Sequence, residues 1–548
     1  MNGHQKDKDH NRTNSLPPQY SRSNKAQFSP SNLEDVIPET HKHRTLVLCF
    51  DGTGDQFDDD HQTGIGTYTI PQIAQPWLTK LHKVLDMMLG VNLDAHVMSG
   101  YEFLMENYIV GDKICIFGFS RGAYTARAVA GMIHKVGLLP RHNHQQVPFA
   151  YKMYSREDET GWRLSSAFKQ AFSIDVDIEF LGLWDTVASI GFINKRLPFT
   201  SSNNNIRYFR HALALDEHRA RFIPSLWDHT LPHRQCEEHL SSKFGVAEGS
   251  MPKSNPKLKE RELERQEMSQ NGQPLQGRKS SADKALRELE REFDTTIGAN
   301  MLDEHNLTDV EEVWFSGCHC DVGGGAVKNE TRNSLARIPL RWMIRQCFKT
   351  GTGILFHREL LRKVGLHPDT LWPRVIDRPP LPTPSTESDP GSTIVSSPTD
   401  MTFQNNTNNG RHDNHCHLPS GLRHSHFVTD FRHEEDEDVN DALTGLNDML
   451  RITWGWWLLE LLPQKIRYLK LDNSNDNNSL GAEISGKWAH KMAWANLGAP
   501  RHILHKQLGR VKVHRTVRIR MEAEAEALAD GKKYVPRPEW DFEPVWVD

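Results

Sequence analysis

The sequence predicts an α/β fold: a mostly parallel sheet with helices on both faces. Two observations carry this. Short, near-continuous apolar runs recur along the chain, most of them ending at or beside Gly, Asp or Ser, and stretches of helical apolar spacing alternate with them. Strands buried on both faces read as unbroken apolar runs, and their alternation with helices is the signature of parallel sheets.

The first strand is TLVLCF (45–50), followed by helical patterns over 75–90 and 101–108. Next come the strand KICIFGF (113–119) and a helical pattern over 122–136. The remaining strands are IEFLGLW (178–184) and EVWFSG (312–317), with a helical pattern over 335–348 after them. Each strand is six or seven residues long and rich in β-formers. In such folds the chemistry lies at the carboxyl ends of the strands.

Composition bounds the alternatives. The 548 residues carry 66 basic and 71 acidic side chains, a formal charge of −5, which leaves no basic footprint for nucleic acid. Seven cysteines, odd and sparse, do not form a disulfide framework and point to a reducing compartment. The N-terminus MNGHQKDKDHNRTNSLPP lacks the apolar core of a secretory signal. The longest apolar stretch, 454–462, is interrupted by Glu460 and is well short of the roughly 18 residues a membrane helix needs. The expected location is therefore cytoplasmic, without a transmembrane segment.

Only 37% of the residues are apolar, and they cluster. Residues 1–43 read as a disordered polar tail and 44–372 as one catalytic domain. A charged insertion at 247–296 interrupts it, whose segment ADKALRELEREF suits a solvated helix. Residues 373–442 read as a disordered Pro/Ser/Asn/His-rich insertion, and 443–548 as a helical C-terminal extension packing on the domain. The histidines of that insertion (His412, His415, His417, His424 and His426) suit a solvated loop better than a metal site.

The second strand ends in Gly118-Phe119-Ser120-Arg121-Gly122 and a helix begins at once. G-x-S-x-G between a strand and a helix is the context of a nucleophile elbow. The turn is tight enough that a side chain at Gly118 or Gly122 would collide with its neighbours. Ser120 is thereby held with its hydroxyl exposed, and the helix directs N–H groups and a positive dipole end at an oxyanion. The third strand ends in Asp185, which suits the acid that orients a catalytic histidine; a turn or N-cap aspartate is the plainer reading. The fourth ends in Ser316-Gly317-Cys318-His319-Cys320-Asp321, followed by Val322 and three glycines that would bring the imidazole over the serine. Asp321 is the second candidate acid and could instead hydrogen-bond the glycine turn. The order Ser120, Asp185, His319 is the order used by α/β-hydrolases. Zinc is disfavoured at Cys318 to Asp321, because its ligands come in pairs at wider spacing. After the first strand, Gly52, Thr53 and Gly54 offer backbone N–H groups beside that of Arg121 as an oxyanion hole.

FDGTG, GFSRGAYTAR, GLWDTVASIG, RHALALDEHRARF and WFSGCHCDVGGG, taken in order, resemble the signatures of the α/β-hydrolase family of type VI secretion phospholipase effectors. The resemblance runs from about residue 44 to 350 and continues weakly through 454–463 and 513–520. It implies a serine esterase acting on acyl esters, phospholipids above all, with Ser120 as nucleophile, Asp185 as acid and His319 as base. No metal or organic cofactor is needed for that chemistry. Two departures stand out. Between the FDGTG loop and Gly64-Ile65-Gly66-Thr67-Tyr68 this chain lacks a helix and a strand that similar proteins carry, and Cys318 and Cys320 flank the histidine where relatives have less reactive residues.

Substrate preference is thinly encoded. The aromatic block at 454–459 suits a buried helix, an acyl pocket or peripheral membrane contact. Asp216, His218 and the arginines of RHALALDEHRARF suit either an anionic head group or internal salt bridges. A catalytically silent scaffold and a thioesterase or peptidase using the same triad are the competing readings.

Overall fold

The computed structural model describes residues 35–38, 43–52, 93–187, 196–228, 286–290, 293, 308–328, 331–378, 434–453, 456–461, 464–471, 486–493, 495–501, 503, 511–538 and 543–548. For 458, 459, 464–471 and 486–493 it describes the backbone alone. The expected helix at 75–90, the segment near Asp60 and His61, and the histidine-rich run all lie outside the described residues.

Among the described residues seven strands form one sheet: β1 (Thr45–Phe50), β2 (Lys113–Phe119), β3 (Ile178–Trp184), β4 (Ile206–Ala214), β5 (Asp309–Phe315), β6 (Lys512–His514) and β7 (Val545–Val547). Their spatial order is β7-β6-β5-β4-β3-β2-β1 and every neighbouring pair is parallel. The chain thus adopts the predicted α/β class.

The unbroken apolar runs have the expected cause. Ile114 and Ile116 of β2 face a core built with α1 (Leu93–Asn107) and α2 (Ser120–Val136), while Cys115 between them faces the opposite core. Helices α3 (Val147–Ser155) and α4 (Glu159–Phe172) complete the first layer, and α6 (Arg337–Lys349) brings Trp342 and Met343 to the second. The short helix α5 (His319–Gly323) lies between β5 and α6. Each apolar side chain buried this way contributes about 1.5–3 kcal/mol relative to exposure.

Strand β4 was not expected from the apolar pattern, because Arg207, Arg210 and His211 interrupt it. Arg210 and His211 are nonetheless buried, since each finds partners. Arg210 bonds Gln346 and Asp309, and His211 Nδ1 lies 2.9 Å from Glu312. The C-terminal part supplies helices α7 (Glu434–Ala442) and α8 (Arg515–Glu522), and β6 and β7 besides. At three residues each, those strands carry no readable period.

Parts of the polar segments have defined contacts. Val36–Ile37 pairs antiparallel with Phe356–His357. In the charged stretch Leu286 and Phe293 pack on Trp162 and Phe199, so this helix is not solvated all round. Helix α7 sets Glu434 on Arg345 and Asp438 on Arg341, ion pairs in which every side chain is buried. No helix among the described residues is long and apolar enough to cross a membrane.

Candidate active site

The sheet register brings the predicted residues together. Phe119 pairs with Trp184, Trp184 with Ala212, and Ala214 with Phe315. Ser120 and Asp185 therefore follow directly on neighbouring strand ends, and His319 leaves the end of β5. Both Ser120 (φ 59°) and Asp185 (φ 40°) hold left-handed backbone, a strain that functional sites retain when the surroundings over-determine it.

The turn between β2 and α2 is tight at both glycines. A Cβ on Gly122 would lie 2.2 Å from the Phe50 carbonyl oxygen, and one on Gly118 would lie 2.6 Å from that of Gly122. These contacts also set the Phe50–Asp51 backbone against the first turn of α2. Of the expected oxyanion donors, Thr53 lies outside the described residues, Gly52 comes two residues after β1, and Arg121 follows Ser120 in the first turn of α2.

His319 joins the two. Its Nε2 lies 2.7 Å from Ser120 Oγ and its Nδ1 lies 2.5 Å from Asp185 Oδ2, all three residues being buried. Burial works to raise the Asp185 carboxyl, but the Arg501 guanidinium and His319 together hold it well below the usual carboxylate range. Burial also dominates at His319, keeping the imidazole below its ordinary 6.5 against the opposing pull of Asp185. A base that is neutral at physiological pH, oriented by an anion and touching a hydroxyl, can accept that hydroxyl's proton.

Asp321 is occupied elsewhere. Its Oδ2 accepts from the N–H groups of Cys318 and Asn447, and its Oδ1 accepts from the Asn447 side chain 2.7 Å away. Its carboxylate thus caps the N-terminus of α5 at Cys318, which is neither of the roles its position suggested. Of the glycines after the histidine, Gly323 has a packing task as well: a Cβ there would lie 1.9 Å from the Phe119 ring, so it lets α5 approach the turn at Ser120. Cys318 is buried with its Sγ 3.5 Å from the Asp216 carbonyl, and burial pushes its thiol well up, away from nucleophilic use.

The polar residues of RHALALDEHRARF find partners inside the protein. Asp216 accepts from Gly317 N–H and from Tyr534 Oη, and His218 lies between Asp448 and the Gly498 carbonyl. Glu217 accepts from Arg219 and from the His319 N–H. Burial opposes its ionisation, yet Arg219 brings its carboxyl down to about 2. Internal packing, not a head-group site, describes these side chains. Arg219 in turn stacks on Phe222, 3.5 Å from the ring centroid, and lies over Trp456.

Two features were not legible in the sequence. Arg501 donates to both oxygens of Asp185, at 2.6 and 2.9 Å, although 316 residues separate them. Phe119 and Phe222 bracket the imidazole with ring centroids 4.6 and 4.8 Å away, and Trp456 packs on Phe222. An isolated arginine near a Gly-Ala-Pro loop carries no motif, and aromatic residues are read as core by default. Among the described residues no group of His, Cys, Asp or Glu is arranged to hold a metal ion.

Comparison with known proteins agrees with this architecture. The family model of the type VI secretion system phospholipase effector Tle1-like catalytic domain matches residues 60–346. An uncharacterized protein of Saccharomyces cerevisiae is 28% identical, the alignment covering 85% of this chain and 78% of the yeast protein. The crystal structure of an uncharacterized protein from Pseudomonas aeruginosa matches at 19% identity over 47% of this chain and 26% of its own, with a TM-score of 0.20, too low to bear on the fold. The match over more than half of its length shows that the chain belongs to the Tle1-like phospholipase effector catalytic-domain family.

Proposed function

We propose that this protein is a serine hydrolase that cleaves acyl esters, phospholipids foremost, through an acyl-enzyme. One observation carries the reading: a single buried imidazole lies 2.7 Å from Ser120 Oγ and 2.5 Å from Asp185. His319 Nε2 takes the Ser120 proton as Oγ attacks the ester carbonyl. The N–H of Arg121, with that of Gly52 as second donor, binds the oxyanion, each such donor lowering the barrier by about 3 kcal/mol. The protonated imidazole then gives its proton to the departing alcohol, and water repeats the sequence on the acyl-enzyme. Asp185 keeps the Nδ1 proton in place throughout, which fixes the tautomer. No metal or organic cofactor enters these steps.

Family membership supports a lipid ester as substrate, and so does the apolar wall of Phe119, Phe222 and Trp456 beside the base. Apolar lining with few polar groups is what an acyl chain requires. With no helix among the described residues long enough to cross a bilayer, access to lipid is proposed to be peripheral.

Labelling with a fluorophosphonate, followed by assay on phospholipid, thioester and peptide panels, tests the reading. Wild type is expected to be labelled at Ser120 and to release fatty acid from phospholipid, and Ser120→Ala to do neither. Equal background rates for the two would make the chain a silent scaffold. Labelling with turnover of thioesters or peptides alone would keep the triad and replace the substrate.

A further inference from the structure

Asp185 is held in an unusual way for the acid of a triad. The Arg501 guanidinium forks onto both of its oxygens, Nη1 to Oδ1 at 2.6 Å and Nη2 to Oδ2 at 2.9 Å. The remaining contacts of the guanidinium anchor it to the end of β4 and the loop after it: Nη1 donates to the Ala214 carbonyl, and Nε and Nη2 donate to that of Phe222. Ala214 N–H also donates to Asp185 Oδ1. Oδ2 is thus shared between Arg501 and His319 Nδ1, in a site where the Asp185 side chain is wholly buried and that of Arg501 is 4% exposed. Arg501 lies outside the residues matched by the family model.

We infer that Arg501 is a positioning residue: acting through Asp185, it fixes the carboxylate against His319 and keeps the imidazole neutral into more acidic solution. The inference rests on the serine-hydrolase reading. A carboxylate already forked by a guanidinium offers less stabilisation to an imidazolium, so protonating His319 is harder than beside a bare anion. Of the other groups facing the ring, Arg219 acts in the same direction and Glu217 opposes it. Arg219 and Glu217, from the loop after β4, form a buried pair whose charges offset one another. Asp321 and Cys320 belong to the histidine's own turn, and Asp321 is engaged by Asn447. Ser120 is neutral, and the apolar rings of Phe119 and Phe222 pack against the buried imidazole. Burial is the largest influence holding the imidazole below 6.5, and among the groups that draw the Asp185 carboxyl down Arg501 comes first.

The test compares full-length wild type, Arg501→Gln and Arg501→Lys. Folding is checked by thermal melting, and the rate of fluorophosphonate attack on Ser120 is followed from about pH 4 to 9, the range that brackets imidazole ionisation. Arg501→Gln removes the charge, and its acid limb is expected to move up by roughly one pH unit or more. Arg501→Lys keeps a charge without the fork; its limb should stay where the wild type has it while the plateau falls roughly tenfold or more. An unmoved limb in folded Arg501→Gln overturns the inference. If that variant does not fold, Arg501→Lys decides: a displaced limb or an unchanged plateau overturns it. Failure of both variants to fold makes Arg501 a structural residue and overturns it too. Absence of labelling in the wild type would instead defeat the serine-hydrolase reading, a result separate from all of these.

Discussion

The two halves of the site are built in different ways. The Ser120 half is one contiguous strand–turn–helix, residues 113–136, in which Gly118 and Gly122 are set by backbone contacts within a few residues or with the end of β1. The His319–Asp185 half is assembled from the ends of β3, β4 and β5 and from a C-terminal part that lies far away in sequence. Arg501 holds Asp185, Asn447 holds Asp321, and Tyr534 holds Asp216, which in turn holds the turn before His319. The first half depends on sterics, the second on buried polar pairs. A steric elbow tolerates no added atom, whereas a polar scaffold loses order stepwise as its partners are removed.

That contrast can be broken at several points. The largest loss is expected from Asp185→Asn, which leaves the geometry but favours the wrong tautomer of His319; kcat should fall about 10⁴-fold. Asp321→Asn should leave kcat within an order of magnitude of wild type, and if it proves the more damaging of the two, Asp185 is not the acid.

Gly122→Ala places a methyl 2.2 Å from the Phe50 carbonyl and must displace backbone. A shift near 1 Å at the serine costs about 10²-fold in rate, so labelling of Ser120 should slow by at least that much. Labelling at the wild-type rate would mean the elbow is looser than these contacts require.

Tyr534→Phe removes one buried bond to Asp216 and should cost about 1–1.5 kcal/mol. Hydrogen exchange should quicken around residues 316–321 while 113–136 stays protected. Uniform loss of protection would erase the distinction between the halves.

The smallest and most diagnostic effect is in pH. Because the His319 value lies below 6.5, the neutral base persists as pH falls through 6.5, and the acid limb of kcat/KM should lie beneath it. The sign for stability follows from the same shift. The unfolded chain protonates this histidine first, so its contribution to stability is intact above 6.5 and is lost as pH falls below. A limb above 6.5 would contradict the burial of the ring.

Much of the fold was legible because its signals are local. The strands at 45–50, 113–119 and 178–184 occupy the expected apolar runs, and the fourth, expected at 312–317, occupies 309–315. Strand β4 escaped because burying Arg210 and His211 depends on Gln346, Asp309 and Glu312, partners that no local pattern reveals. Helix α7 escaped for the same reason: EEDEDVNDA reads as solvated until the arginines of α6 meet it. The imidazole's approach was expected from the glycines that follow it, yet the hydrogen bonds of Asp321 and Asp216 set the turn from the other side.

The sequence by itself determined the α/β class and the tight strand–turn–helix at Ser120, because steric and periodic constraints act over a few residues. Only the tertiary structure decided which aspartate faces the imidazole, that Cys318 is buried and engaged, and that Arg501 reaches the acid. Those outcomes depend on which buried polar groups meet, and a charge in a low-dielectric interior is tolerable only where the fold brings it a partner.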